Sequence, residues 1–139
     1  MDQEFFNIEI KTGGLQLYEF TNQVFKWIKL NNCKDGLLNI SILHTSASLI
    51  VQENADPDVQ TDLIKYFDKL VPMDSDLYIH TTEGKDDMPA HIKSALTNNQ
   101  ISLSIKGSEL LLGRWQGIYL FEHRTSPQKR TIILHYLGN

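Results

Sequence analysis

Short runs of alternating apolar and polar residues occur along much of the chain. Phe6, Ile8 and Ile10 alternate with polar residues, and the segments 38–42 and 101–105 follow the same pattern. Because side chains two positions apart on a strand lie on one face of a sheet, these runs predict half-buried β-strands. Further strand-like runs cover residues 110–112, 118–122 and 131–137.

Three other segments repeat apolar residues at helical spacing. The first covers about residues 21–32. The second has the clearest start, because Asp56 is a favoured N-cap and Pro57 is favoured at the first helical position, and it ends before Pro72. The third opens at residues 87–89.

The predicted strands outnumber the helices and mostly follow one another, without the regular alternation of a doubly wound fold. We therefore predict an α+β fold in which the second and third helices cover one antiparallel or mixed β-sheet layer. Residues 1–139 have the length of a single domain. The side chains expected to be buried in the sheet are those of Phe6, Ile8, Ile40, Ile42, Leu103 and Ile105.

The net charge of −4 argues against nucleic acid or anionic membranes as partners, since both require a basic face. No segment approaches the roughly 20 apolar residues of a transmembrane helix. The first residues lack the basic and then apolar pattern of a secretory signal. Cys33 is the only cysteine, which excludes an internal disulfide and suits a reducing compartment. We expect a cytoplasmic protein.

Three histidines are candidate metal ligands. His44 follows a predicted strand, His80 follows the strand-like pair Tyr78–Ile79, and His91 lies in the first turn of the third helix. If the three imidazoles converge from these rigid supports, they form a set that leaves the fourth position of zinc open for water or substrate. None of the spacings is a metal signature such as HExxH, so an ordinary core or surface role is the alternative for each.

Two carboxylates and a polar stretch add further candidates. Glu53 and Asp87 are suited to act as a general base or to orient a histidine. Asp87 is equally well explained by a solvated acidic loop that favours the start of a helix. Trp115 and Gln116 begin a strand between two glycines, which suits a pocket wall as well as a buried indole. Arg124 is the candidate contact for a phosphate.

Four stretches resemble, in order, successive motifs of the YjbQ family, also called the secondary thiamine-phosphate synthase family. They read His-Thr-Ser-Ala-Ser-Leu at 44–49, Glu-Asn-Ala-Asp-Pro at 53–57, Asp-Asp-Met-Pro-Ala-His-Ile-Lys-Ser at 86–94, and Leu-Gly-Arg-Trp-Gln-Gly-Ile at 112–118. Together they span nearly the whole chain. Arg114 stands where the family usually has threonine, so a charge replaces a hydroxyl group there.

The resemblance implies a compact α+β fold, a homotrimer, and a site near subunit boundaries where three histidines gather around a metal or an anion. It also implies a secondary thiamine-phosphate synthase, a transferase that joins a pyrimidine diphosphate to a thiazole phosphate and releases pyrophosphate. Such a reaction needs the diphosphate charge neutralised, normally by a divalent cation and basic residues. The candidates are Glu53, Asp87 and Gln116 for catalysis, Ser46, Trp115 and Arg124 for the substrate or anion, and His44, His80 and His91 for the metal.

Two alternatives to the synthase stay open. Histidine-rich ligation favours zinc over magnesium, and the sequence lacks the dense carboxylate cluster that holds magnesium and a diphosphate together. A zinc-dependent hydrolase of a small phosphorylated or acyl substrate is therefore a second hypothesis. A non-catalytic trimeric protein that binds a metal or a small ligand is a third.

Overall fold

The computed structural model describes residues 1–139 and contains eight β-strands and three α-helices. In chain order these are β1 (Asp2–Thr12), β2 (Gln16–Glu19), α1 (Thr21–Leu30), β3 (Gly36–Ile42), β4 (Ala47–Glu53), α2 (Pro57–Leu70), α3 (Asp87–Leu96), β5 (Gln100–Lys106), β6 (Glu109–Leu110), β7 (Gln116–Glu122) and β8 (Gln128–Gly138). A short 3₁₀ helix at Ser75–Leu77 precedes α3. The predicted α+β class is confirmed.

The strands form two antiparallel sheets. The larger sheet has the order β1-β8-β3-β5-β6 and the smaller sheet has the order β2-β7-β4. The expectation of one sheet layer is therefore wrong. Strand β4 gave no alternating signal because its first residues, Ala47, Ser48 and Leu49, are all buried. A strand that is covered on both faces loses the period of two.

The main core is shared by the two sheets and α1. Helix α1 contributes Val24 and Ile28, which are almost fully buried, to a cluster that includes residues of both sheets. Of the side chains expected in the core, Ile8, Ile40, Ile42 and Ile105 are buried and Leu103 is half-buried. Phe6 instead is 42% exposed and stacks on Trp27, with ring centroids 5.9 Å apart. The prediction that α2 and α3 cover the sheet did not include α1, which packs against the main core.

Helix α2 covers the other face of the smaller sheet. Its Phe67 meets the ring of Phe121 edge-on, with centroids 5.4 Å apart. The helix begins as predicted, since the Asp56 side chain accepts a hydrogen bond from a first-turn amide at 2.9 Å. Lys93 of α3 is 2% exposed and donates to Asp68 of α2 at 2.5 Å, so the two helices are fastened to each other.

The register of the smaller sheet decides which motifs meet. Ala47 at the start of β4 pairs with Glu122 at the end of β7, and Glu53 pairs with Gln116 at the opposite end. At about 3.3 Å per residue, the two ends lie roughly 20 Å apart. We call the end with Ala47 and Glu122 the histidine end, and the end with Glu53 and Gln116 the far end. None of the helices combines the length and apolar character that crossing a membrane requires.

Candidate functional site

Three connecting segments meet at the histidine end. The segment between β3 and β4 is tied to α3 by His91, whose Nδ1 lies 3.0 Å from the carbonyl oxygen of Thr45. The segment between β7 and β8 is tied to the loop before α3 by Arg124, whose Nε donates to Asp86 at 3.0 Å. Residues from distant parts of the chain therefore assemble here only when it folds.

Asp87 lies at the centre of this end. Its Oδ2 is 2.8 Å from His80 Nε2 and 3.1 Å from His91 Nε2. One ligand atom from each of the three residues lies within 4.8 Å of the others, a spacing that suits a metal ion. His80 reaches the cluster from a coil, because Tyr78 and Ile79 do not form the strand predicted before it. The carboxylate is only 2% exposed, whereas the two histidines are partly open to solvent.

Both ring nitrogens of His91 face hydrogen-bond acceptors. Nδ1 faces the Thr45 carbonyl oxygen, which only accepts, so Nδ1 carries a proton. Nε2 faces the Asp87 carboxylate. Two states satisfy this arrangement: a doubly protonated ring, or a neutral ring whose Nε2 lone pair and the carboxylate share a cation. A histidine that donates its second N–H to a backbone carbonyl is the usual arrangement of a metal ligand.

Arg124 holds the acidic loop in place. Its Nη1 donates to Asp87 Oδ1 at 2.9 Å, its Nε to Asp86 Oδ2 at 3.0 Å, and its Nη2 to the carbonyl oxygen of Glu83 at 3.0 Å. Burial alone would raise the pKa of Asp87, but hydrogen bonds from the histidines and the charge of Arg124 outweigh it and lower the pKa. The guanidinium predicted to contact a phosphate therefore positions Asp87, and its role as an anion contact stays a prediction.

A buried ion pair, which the sequence patterns above do not predict, lies at the same end of the smaller sheet. Glu122 and Arg130 are 0% and 1% exposed, and Arg130 donates to the carboxylate through Nε at 2.8 Å and Nη2 at 2.6 Å. Thr12 donates to it as well, at 2.7 Å. The signal was present in the sequence: Glu122 is in register with Ile118 and Leu120 on the core face of β7, where a charge requires a partner.

Ser46 and His44 connect this ion pair to the surface. Ser46 is buried, and its Oγ lies 2.9 Å from Arg130 Nη2 and 3.0 Å from His44 Nδ1. His44 lines a groove of about 320 Å³ together with His91 and Ser94. His44 does not belong to the group formed by His80, Asp87 and His91. The structure thus brings two of the three predicted histidines together, with a carboxylate between them.

The remaining candidates lie at the far end. Gln116 uses its Oε1 to accept a hydrogen bond from the Gly113 amide at 2.6 Å, which closes its own turn. Trp115 is 55% exposed, and the Arg114 guanidinium lies 4.8 Å from its ring centroid. Glu53 pairs with Gln116 across the sheet. Within one chain, these residues are therefore separated from the histidine cluster by the length of the sheet.

Comparison with known proteins agrees with both the fold and the motifs. The family model described as UPF0047 protein YjbQ-like matches residues 6–139. The chain belongs to this family. The UPF0047 protein sll1880 of Synechocystis is 49% identical over 129 residues, which cover 93% of this chain and 88% of that protein. The UPF0047 protein YjbQ of Escherichia coli O157:H7 is 39% identical over 138 residues, which cover 98% and 97% of the two chains.

Solved structures share the fold. A crystal structure of a YjbQ/UPF0047 family protein from Clostridium acetobutylicum matches with a TM-score of 0.86 at 32% identity, covering 95% of this chain and 99% of that one. A YbjQ-like protein from Sulfolobus solfataricus has the same TM-score at 18% identity, which shows a common fold. The family membership predicted from the four motifs is confirmed.

Proposed function

We propose that this chain binds one divalent metal ion through His80, Asp87 and His91, and that it acts on a small phosphorylated molecule. The observation that carries the proposal is the position of Asp87 Oδ2, 2.8 and 3.1 Å from the Nε2 atoms of the two histidines. Two imidazoles and one carboxylate form a donor set that zinc accepts, with positions left for water or substrate.

The donor atoms fit this role with little movement. Bonds of about 2.0–2.2 Å at tetrahedral angles place ligand atoms roughly 3.4 Å apart. The two nitrogen–oxygen separations of 2.8 and 3.1 Å would have to open by roughly 0.6 and 0.3 Å. Arg124 fixes the other carboxylate oxygen of Asp87, and Thr45 fixes the other ring nitrogen of His91. These contacts orient the ligands, as outer hydrogen bonds do in metal sites.

A groove beside the cluster provides room for a ligand. Its volume of about 320 Å³, with His44 and His91 in its walls, is at the lower end of small-molecule sites. A divalent cation at Asp87 would supply charge neutralisation for phosphate oxygens. The chain itself would orient the substrate through the side chains that line the groove. This combination supports a phosphorylated molecule of small size.

Within this class, we propose the reaction that the family resemblance implies. A pyrimidine diphosphate is joined to a thiazole phosphate, and pyrophosphate is released. The departing diphosphate carries several negative charges, which a bound cation would stabilise. In keeping with the resemblance, we also propose that the protein works as a cytoplasmic homotrimer.

A zinc-dependent hydrolase is the second candidate, and one observation favours it. Asp86 is engaged by Arg124 and by the Thr125 hydroxyl, so Asp87 is the one carboxylate that contacts the histidines. Magnesium bound together with a diphosphate usually relies on more carboxylates. A zinc ion with three protein ligands instead leaves a place for the water that a hydrolase activates.

Turnover with defined metals tests the proposal. The purified chain is incubated with the pyrimidine diphosphate and the thiazole phosphate, with zinc, magnesium or manganese added separately. We expect metal-dependent synthesis that is lost in Asp87→Asn and retained in Asp62→Asn, a change of an exposed carboxylate on α2. Zinc-dependent cleavage of a phosphate ester without synthesis would favour the hydrolase, and zinc binding without turnover would favour a binding protein. Turnover independent of any metal would overturn the proposal.

A further inference from the structure

His44 lies beside the proposed metal site but is held differently from the other two histidines. It follows β3, two residues after Ile42, and its exposed ring lines the groove that His91 also lines. His80 and His91 each direct Nε2 toward Asp87. His44 makes its hydrogen bonds through Nδ1, toward the protein interior.

The proton position on His44 follows from its partners. The backbone N–H of Ser46 lies 3.1 Å from Nδ1, and an amide N–H only donates. Nδ1 therefore accepts, and in the neutral ring the proton must lie on Nε2. The Ser46 hydroxyl, 3.0 Å away, donates to the same nitrogen. Its own oxygen is occupied as an acceptor, since the Arg130 guanidinium donates to it at 2.9 Å.

This chain of contacts is rigid because its inner members are buried and paired. Ser46, Arg130 and Glu122 are all at most 1% exposed. Arg130 donates two hydrogen bonds to Glu122 and also donates to the hydroxyl and carbonyl oxygens of Ser46, at 2.9 and 3.4 Å, so its contact with Ser46 has a fixed direction. Desolvation of the ring, and then the positive charge of Arg130, lower the pKa of His44, which agrees with a neutral ring.

We propose that His44 is a neutral hydrogen-bond donor, through Nε2–H, to a phosphate oxygen of the ligand in the groove, and that it is not a metal ligand. A ligating Nε2 must offer a lone pair, and with Nδ1 already accepting, that would require removal of both ring protons. The proposal rests on the proposed function for the nature of the ligand. It assigns Ser46 and Arg130 the task of fixing the tautomer, so they are positioning residues.

The fixed tautomer also explains why Ser46, predicted as an anion contact, is buried. Ser46 is 1% exposed, and its hydroxyl lies between Arg130 and His44 and does not line the groove. Its contribution to ligand binding is to aim the imidazole. A neutral imidazole that donates through a fixed nitrogen is an established way to polarise an oxygen in an active site.

Two measurements on the intact protein test this inference. Nitrogen-15 spectra of histidine-labelled protein, with and without zinc, should show an unprotonated, hydrogen-bonded Nδ1 and a protonated Nε2 for His44 in both states. Zinc titration of the His44→Asn variant should give the wild-type stoichiometry. The affinity of this variant for inorganic phosphate should fall roughly tenfold or more. His135→Asn, on the larger sheet, is the matched control and should change neither.

The outcomes separate this inference from the proposed function. A His44 Nε2 that loses its proton when zinc binds, or loss of zinc from His44→Asn, would overturn the donor role. Unchanged phosphate affinity in His44→Asn would overturn it as well. If the wild-type protein binds no zinc, the metal proposal fails, and the tautomer and phosphate measurements still decide the role of His44. Ser46→Ala should weaken phosphate binding less than His44→Asn, because the backbone amide still holds Nδ1.

Discussion

His91 Nδ1 lies 3.0 Å from the carbonyl oxygen of Thr45, so the first turn of α3 is fastened to the segment between β3 and β4. This contact determines which nitrogen of His91 faces Asp87. It also sets the groove wall, because His44 and His91 then lie on two segments that are held together. The geometry of the proposed metal site thus depends on a backbone oxygen as much as on the ligands.

Arg124→Lys should weaken metal binding although the charge is kept. One ammonium group is unable to reach Asp86, Asp87 and the Glu83 carbonyl at once, so Asp87 loses its fixed orientation. Loss of such an outer contact lowers metal affinity by about 10–100-fold. Zinc affinity measured by calorimetry checks this.

Arg114→Lys is the matched control for that experiment. It makes the same chemical change at the far end, where Arg114 lies against the exposed Trp115. Its zinc affinity should equal that of the wild type. Equal affinity in Arg124→Lys as well would show that Asp87 does not need this arginine. Weaker phosphate binding alone, with unchanged zinc affinity, would instead support the anion contact predicted from the sequence.

Removing one partner of the buried ion pair between Glu122 and Arg130 should destabilise the fold strongly. In Glu122→Gln the Arg130 charge stays buried without its carboxylate, and such a loss costs about 3–5 kcal/mol. Glu9→Gln breaks the exposed pair with Lys129, whose atoms are 3.6 Å apart, and should cost about 0–1 kcal/mol. Urea unfolding measures both. Similar stabilities of the two variants would contradict the account of the ion pair.

Sequence patterns predicted single elements of the chain better than the way these elements assemble. The start of α2 depends on residues that are adjacent in the chain, and its prediction at Asp56 and Pro57 is confirmed. The meeting of Ser46 with Arg130 depends on sheet order, which local periodicity does not contain. Even so, Arg130 alternates with Ile132 and Leu134 on the core face of β8, which was a readable sign of a buried partner.

The placement of the predicted catalytic residues shows a second limit. The sequence predicts that Glu53 and Gln116 lie in one site with the histidines. The antiparallel pairing of β4 and β7 places them at the far end. Only knowledge of that register separates the two groups. For Asp87 the register was not the difficulty. Its position at the start of a helix is sufficient to explain an acidic residue, and only the structure shows that His80 and His91 both contact its carboxylate.

The stability of the fold should fall as the pH drops below neutrality, and His123 should account for part of the slope. Burial, followed by the charges of Lys93 and Arg130, lowers the pKa of His123 to about 3. In the unfolded chain it would be about 6.5. Between these values the unfolded state binds more protons than the folded state. The contribution of His123 to the unfolding free energy is therefore complete above pH 6.5 and is lost as the pH falls toward 3.

One such proton contributes up to about 1.4 kcal/mol per pH unit. His123→Gln should therefore flatten the dependence of the unfolding free energy on pH between pH 4.5 and 6.5, roughly the range above carboxylate titration. His135→Gln, a replacement of the half-buried ring on the larger sheet, is the matched control. His44, whose pKa is also lowered by burial and by the charge of Arg130, should contribute to the slope that remains. An unchanged slope in His123→Gln would refute the account.

The proposed homotrimer, which the family resemblance implies, has a simple test. A homotrimer has a mass of about 48 kDa, three times the 16.0 kDa chain. Light scattering at micromolar concentration should give this mass. The larger sheet has apolar side chains such as Phe5 and Leu37 exposed, so surface is available for contact between copies. A stable 16.0 kDa particle would contradict the trimer.

The most direct test of the metal site is zinc binding by three matched proteins. Calorimetric titration should give one zinc per chain for the wild type and for Asp62→Asn, and a large loss of affinity for Asp87→Asn. X-ray absorption of the wild-type complex should report two imidazole nitrogens and a carboxylate oxygen at about 2.0–2.2 Å. If Asp87→Asn binds zinc as tightly as the wild type, or if the bound zinc has no histidine ligand, the site formed by His80, Asp87 and His91 is not a metal site.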